Sequence, residues 1–185
     1  MSTMHTKKHR SLTVVIVLVL IVLWSSRAQL FLINASPSVP VGLYMAMPMH
    51  RTLKRGDLLR FCAPGWIAER GYVPTSRHCS DKSPALLKPV VGVQGDLVEV
   101  RNKVVFVRGY NTKAYILAVD SKGKPIPSIS NFVVRKNAFF PLSTFHVRSL
   151  DGRYFGEISD NKILHRYICL VCLGEIKDPV ILGKL

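Results

Sequence analysis

Thirteen residues near the N-terminus, LTVVIVLVLIVLW at 12–24, contain no charge and a single hydroxyl, Thr13. A run this apolar is directed to a membrane. Its uninterrupted part is closer in length to a signal-peptide core than to a full span, and Ser26-Arg27-Ala28 offers small residues at the spacing of a cleavage site. The apolar character resumes, however, at Leu30, Phe31, Leu32 and Ile33. A single helix over 12–33 reaches roughly 33 Å at about 1.5 Å per residue, enough to cross a bilayer. The expectation is an uncleaved transmembrane anchor over 11–33, with a cleaved export signal as the alternative.

Charge orients that anchor. Lys7, Lys8 and Arg10 precede it, whereas 34–50 holds no Lys or Arg. The positive-inside rule then places a basic tail, 1–10, in the cytoplasm and the remaining 34–185 on the far side, the periplasmic face of an inner membrane. There the four cysteines, Cys62, Cys79, Cys169 and Cys172, meet a compartment in which disulfides persist. The chain has 26 Lys and Arg against 11 acids in 185 residues, a balance that suits an anionic membrane, an acidic protein or nucleic acid. Nucleic acid is not expected: there is no zinc-finger spacing, no RNP-like run and no dense basic arm.

Beyond the anchor the pattern is mainly strands, enough for one core. Segments 42–47, 57–63, 86–93, 96–100 and 104–107 are short, rich in Val, Leu and aromatics, and bounded by Gly, Pro and Asn. The last two face each other as a hairpin across Arg101-Asn102-Lys103. Residues 139–145 and 153–158 are strand-like, and 167–173 is an apolar run. Two polar excursions interrupt this pattern. The first, 64–85, has a short helix near 66–70 and then a surface loop; a disulfide between Cys62 and Cys79 at its ends lowers the entropy of the unfolded loop. The second, 120–130 (DSKGKPIPSIS), is a turn-rich connection. Cys169 and Cys172 point to opposite faces if 167–173 is a strand, so a shared metal ion with His165 and a mutual disulfide are both disfavoured. They are read as small core residues, and no metal or cofactor is expected.

The stretch 34–44, NASPSVPVGLY, sets Ser38 between Pro37 and Pro40, with a second hydroxyl at Ser36. Proline fixes its own φ and restricts the residue before it, so this serine is presented at a defined angle. A free hydroxyl is a poor nucleophile at neutral pH and needs a base. None of the six histidines sits in a triad-like setting. Lys88, flanked by Leu86, Leu87, Val90 and Val91, is the better candidate, because burial in a core strand lowers an amine's pKa until it accepts protons. The bland alternative keeps it on an exposed strand face with its head in water. In SLDGRYFG, 149–156, Asp151 and Arg153 lie two apart and share a face if extended, which permits an ion pair beside Ser149.

Taken in order, the anchor, Ser-x-Ser-x-Pro-x-Gly-x-Tyr at 36–44, Arg-Gly-Asp-Leu-Leu at 55–59, Leu-Lys-x-Val-Val-Gly-x-x-Gly-Asp at 87–96 and Ser-x-Asp-x-Arg-Tyr-Phe-Gly at 149–156 resemble the type I signal peptidase superfamily. Within it the chain is most similar to the TraF-type peptidases of conjugative transfer systems. The 62–79 loop with Glu69-Arg70-Gly71-Tyr72, and the Gly-Lys-Pro-Ile-Pro turn, are TraF-like. The resemblance implies a signal-peptidase-like, mainly antiparallel β domain behind one transmembrane helix. It places Ser38 as nucleophile and Lys88 as general base of a Ser-Lys dyad. Ser36, with the Ser38 N–H, helps bind the oxyanion, and Ser149 steers the lysine amine. Asp151 matches the acid on which TraF-type enzymes depend, and Arg153 its partner. Departures from the signal peptidase pattern are Pro89, Gln94, Ser143-Thr144-Phe145 and Gly152, the last where Ser is usual.

The implied activity is that of a membrane-anchored serine endopeptidase that cleaves, or cyclises, an exported pilin precursor. Its partners would be that precursor, the inner membrane and components of the secretion channel. A general type I signal peptidase is the runner-up; the non-enzyme rivals are a secretion-channel scaffold and a basic membrane-surface module.

Overall fold

The computed structural model describes residues 14–17, 28–49 and 52–173. The expected tail and most of the expected anchor lie outside these. Residues 14–17 are helical, and among the described residues no helix is long and apolar enough to cross a membrane.

Among the described residues eleven strands form two antiparallel sheets. The larger runs β1-β2-β11-β3-β4-β9-β10, with β1 Phe31–Asn34, β2 Val41–Met47, β3 Leu58–Cys62, β4 Ala85–Gly92, β9 Ala138–Pro141, β10 Ile158–Ser159 and β11 Ile163–Leu173. The smaller runs β7-β6-β5-β8, with β5 Leu97–Arg101, β6 Val104–Val107, β7 Tyr110–Tyr115 and β8 Phe132–Val133. One-turn helices occupy Trp66–Glu69 and Gly152–Phe155. The mainly β expectation therefore holds.

Turn chemistry explains the smaller sheet. Asn102 and Lys103 both take positive φ (50° and 63°), which matches the two-residue hairpin turn whose twist suits the flanking strands. Arg108 and Gly109 repeat the device between β6 and β7. Strand β7 was not expected, because YNTKAY has little apolar content; only Thr112 and Ala114 face inward, and register with β6 holds the rest.

Two expectations need correction. Phe31–Asn34 is not the end of a helix but a strand paired with β2, Phe31 opposite Met45 and Asn34 opposite Gly42. Its apolar residues reflect strand pairing, with Leu32 packed on the core and Ile33 exposed. Residues 153–158 are not one extended piece either. Asp151 caps a helical turn, accepting from the Arg153 N–H at 3.2 Å, and extended structure resumes only at Ile158.

One buried cluster lies where the smaller sheet meets β4 and β9 and includes Val91, Val98, Val105, Phe140 and Tyr154. Another, with Leu59, Phe61, Ile67, Val90 and Phe139, lies on the larger sheet under the first excursion. A third, Val39, Tyr44, Leu58 and Tyr167, supports the loop between β1 and β2.

A disulfide joins Cys62 to Cys79, their Cα atoms 5.7 Å apart. Cys169 and Cys172 also form a disulfide, contrary to the expectation from strand alternation. The reason is a bulge: opposite β2, Cys169 pairs with Tyr44 and Val171 with Leu43, leaving Leu170 without a partner. The extra residue restores both cysteines to one face while Leu170 and Val171 point outward.

Candidate functional site

The β1–β2 loop carries Ser36 and Ser38, and Asn34 organises it. The Asn34 side chain donates from Nδ2 to the carbonyls of Ser36 (2.8 Å), Val39 (3.2 Å) and Pro40 (3.1 Å), while its Oδ1 accepts from the Ser36 N–H at 3.2 Å. Tyr44 reaches back from β2 and donates its hydroxyl to the Pro40 carbonyl at 2.5 Å. Prolines remove donors from this loop, and buried side chains supply the pairing that the backbone cannot. Asn34 was missed by sequence reasoning, although an Asn ahead of a Ser- and Pro-rich loop is a ready former of an Asx turn, its side chain accepting from the backbone two residues on.

Ser38 itself is buried. Its hydroxyl is hydrogen-bonded to that of Ser36 at 2.8 Å, and its N–H donates to Ser36 Oγ at 3.4 Å. Its carbonyl accepts from the Ser143 hydroxyl. Ser143, fully buried just after β9, also donates its N–H to Asp151 Oδ2 at 3.2 Å. It entered the sequence reading only as a departure from a motif. A serine after a strand carries no signal of such a partner 105 residues away.

Lys88 lies on β4 opposite Leu59 of β3, only 4% exposed. The exposed-face alternative is therefore excluded: the strand has neighbours on both edges, and its residues from Lys88 onward are all buried. The amine donates to Ser149 Oγ at 3.1 Å. Burial pushes its pKa down from 10.5 to about 8; Arg153 acts in the same direction, and the Asp151 carboxylate opposes both.

Behind this layer stand Asp151 and Arg153, 0% and 1% exposed. Arg153 donates from Nε to Asp151 Oδ1 and from Nη2 to Oδ2, both at 2.9 Å. The same guanidinium donates to the carbonyls of Tyr115, Val147 and Ser149 at 2.9, 3.2 and 2.8 Å. The pair is a bracket that fixes the loop bearing Ser149 onto β7. Burial works against the Arg153 charge, but Asp151 holds its pKa above the ordinary arginine value. Gly152 is required here: a Cβ would lie 2.4 Å from Phe140 Cε2 and 2.5 Å from the Pro141 carbonyl oxygen. Phe140 fills the space that a serine side chain at this position would need.

Ser36, Ser38, Lys88 and Ser149 line one cleft of about 400 Å³, together with Pro37, Arg60, Leu87, His146 and Arg148. Asp151 and Arg153 do not line it, and neither do Cys62 and Cys79. A serine hydroxyl and a buried lysine amine that is partly neutral near pH 8 thus share a solvent-open cavity, each oriented by another hydroxyl.

The signal peptidase, peptidase S26 family matches this chain over residues 6–171. The chain belongs to that family. Among relatives of this S26 peptidase, the conjugal transfer protein TraF of Agrobacterium fabrum is 32% identical over 139 residues, covering 71% of this chain and 77% of that protein. A probable conjugal transfer protein TraF of Sinorhizobium fredii is 35% identical over 138 residues, 71% of this chain and 72% of its own. A plasmid transfer protein TraF of Escherichia coli is 26% identical over 140 residues, 71% and 77% of the two chains. A signal peptidase I of Enterococcus faecalis superposes with a TM-score of 0.39 at 18% identity, covering 64% of this chain and 98% of its own.

Proposed function

We propose that this S26 peptidase is a serine endopeptidase that works through Ser38 and Lys88. The observation that carries the reading is the Lys88 amine, buried beside Ser149 in the same cleft as Ser38 and depressed to about 8. At pH 7 roughly a tenth of such amines are neutral, against about one in three thousand at an unperturbed value. The neutral amine takes the Ser38 proton as Oγ attacks the substrate carbonyl carbon. The Ser38 N–H and the Ser36 hydroxyl, which bond each other in the free protein, turn to the developing oxyanion. The protonated lysine returns its proton to the leaving amine, and an acyl-enzyme ester remains. Water resolves it to an acid; the substrate's own N-terminal amine, if it reaches the ester, resolves it to a cyclic product. Ser149 positions the amine, and Asp151 with Arg153 positions Ser149.

The relatives' role in conjugal transfer supports an exported subunit of a transfer pilus as the substrate, with the secretion channel as further partner. The apolar run at 12–24 supports an inner-membrane anchor with the domain on the periplasmic side. The test is mass spectrometry of a co-expressed pilin precursor with the wild-type protein, Ser38→Ala and Lys88→Ala. Truncated or cyclic pilin should be present with the first and absent with both variants. Processing that persists in Ser38→Ala makes the protein a scaffold, and indiscriminate cleavage of signal-bearing proteins makes it a general signal peptidase.

A further inference from the structure

The proposed reaction leaves two parts of the chain unused, the 64–85 excursion and the 120–130 connection. The fold clasps them together. Tyr72 donates its hydroxyl to Asp120 Oδ2, and Arg70 Nη1 donates to the Pro125 carbonyl at 2.7 Å. Asp120 is itself set by its own turn, Oδ1 accepting from the N–H groups of Lys122 (2.7 Å) and Lys124 (2.9 Å). The clasp shelters a second pocket of about 280 Å³, whose apolar wall is Val73, Leu117, Val119, Ile126 and Tyr154.

This pocket continues the cleft described above. Val73, Arg148 and Leu150 line both spaces. The cleft end of the path is basic: Arg60, His146 and Arg148 stand there with Lys88, and no acid is among its described lining residues, while the pocket end carries Asp120, held by Tyr72, and Lys122. Arg148 is exposed at the junction of the two spaces. A polypeptide held extended advances about 3.3 Å per residue, so a segment lying in the cleft passes its next few residues over Arg148 and into the pocket.

We propose that the clasp builds a second substrate subsite, in which the pocket takes a large aliphatic or aromatic side chain of the polypeptide and Arg148 takes an acidic residue between that side chain and the scissile bond. This rests on the reading of Ser38 and Lys88 as the reacting groups and adds a sequence requirement at a distance from them. One missing methylene in an apolar pocket changes discrimination by a factor of roughly ten to two hundred, so a preference of about tenfold or more is expected here.

The test separates binding from turnover. The full-length Ser38→Ala protein in detergent micelles is applied to an array of immobilised dodecapeptides of randomised sequence, and the retained peptides are read. They should carry an Asp or Glu beside a Leu, Ile, Met or Phe at one constant spacing. Val119→Trp, at an exposed position whose backbone bridges to Pro125, fills the pocket and lowers retention of those peptides about tenfold or more, with an unchanged thermal melt showing that the fold is kept. Arg148→Glu exchanges the acidic preference for a basic one, and Tyr72→Phe, which removes only the clasp hydroxyl, weakens the apolar preference. A retained set that Val119→Trp leaves unchanged overturns the subsite, as does an array that retains nothing above background. The retained peptides are then incubated with the wild-type protein. Retention without cleavage removes the Ser38–Lys88 reading and keeps the subsite; Ser38-dependent cleavage without the two preferences keeps the reaction and removes the subsite.

Discussion

Ser143 donates its hydroxyl to the carbonyl of Ser38, across 105 residues of chain, and its own N–H donates to Asp151 Oδ2. Through this one serine the loop carrying Ser38 is tied to the Asp151–Arg153 bracket. On the proposed reaction Ser143→Ala removes a buried hydrogen bond to the Ser38 carbonyl and loosens the angle of attack. We expect kcat on a cleavable peptide to fall about tenfold with KM little changed, since a small misplacement acts on the chemical step. Steady-state kinetics beside a thermal melt checks this: a drop in Tm with kcat unchanged would assign Ser143 to folding alone.

Lys88 links stability and activity to pH in the same direction, and its removal separates them. Its amine is pushed down to about 8 from 10.5, so the unfolded chain binds the proton more tightly across that interval. The cost of burying the charge is present in full below about pH 8 and is relieved as pH rises toward 10.5, so this group makes stability increase with pH over that window. Activity should rise as pH passes through about 8, where the base becomes neutral. Lys88→Met removes the charge and should abolish cleavage while stabilising the fold at pH 7 by about 1–2 kcal/mol, the relieved burial cost less the hydrogen bond to Ser149. A pH–rate profile and melts of both proteins at pH 7 provide the check; a Met variant that melts lower means the amine is not paying a burial cost.

The Asp151–Arg153 pair is buried, and removing one partner strands the other. Asp151→Ala leaves a guanidinium with no counter-charge in a site 1% exposed, and should cost about 3–5 kcal/mol in urea unfolding. Loss of cleavage in this variant should follow from disorder of the loop bearing Ser149, so the variant's urea midpoint and its activity fall together. An inactive Asp151→Ala protein with wild-type stability would instead make the carboxylate a participant in the reaction.

Gly152 is a packing requirement. Gly152→Ser drives a Cβ into Phe140 and the Pro141 carbonyl, for an expected cost of about 1–3 kcal/mol. Phe140→Leu withdraws the ring, so the double variant should lose less than the sum of the two single losses, measured as a double-mutant cycle in urea. Additive losses would show that the carbonyl contact alone sets the cost.

Local chemistry made much of this protein legible. Five strands and their hairpin follow from short Val- and Leu-rich segments bounded by turn residues, and Asn102 announces a two-residue turn. The proline-bracketed Ser38 and the apolar surroundings of Lys88 are likewise properties of a few neighbouring residues, whereas their meeting in one cleft was implied by the family resemblance and by neither segment alone. The one-turn helix at Gly152–Phe155 was missed because Arg-Tyr-Phe favours strands on average, while the deciding term is the cap that Asp151 supplies.

What composition could not convey depends on partners distant in the chain. Nothing near Phe31 states that it pairs with β2, and nothing near Cys172 states that a bulge opposite Leu43 will turn it toward Cys169. The bond from Ser143 to Ser38, the contacts of Arg153 with Tyr115, and the clasp of Tyr72 on Asp120 each join segments with no local reason to meet. Strand alternation and capping act over two to four residues and so are written in the order of the side chains. Register, bulges and buried polar pairing are settled only when two sheets close on a common core, because each group must then find a partner among whatever the fold has brought beside it.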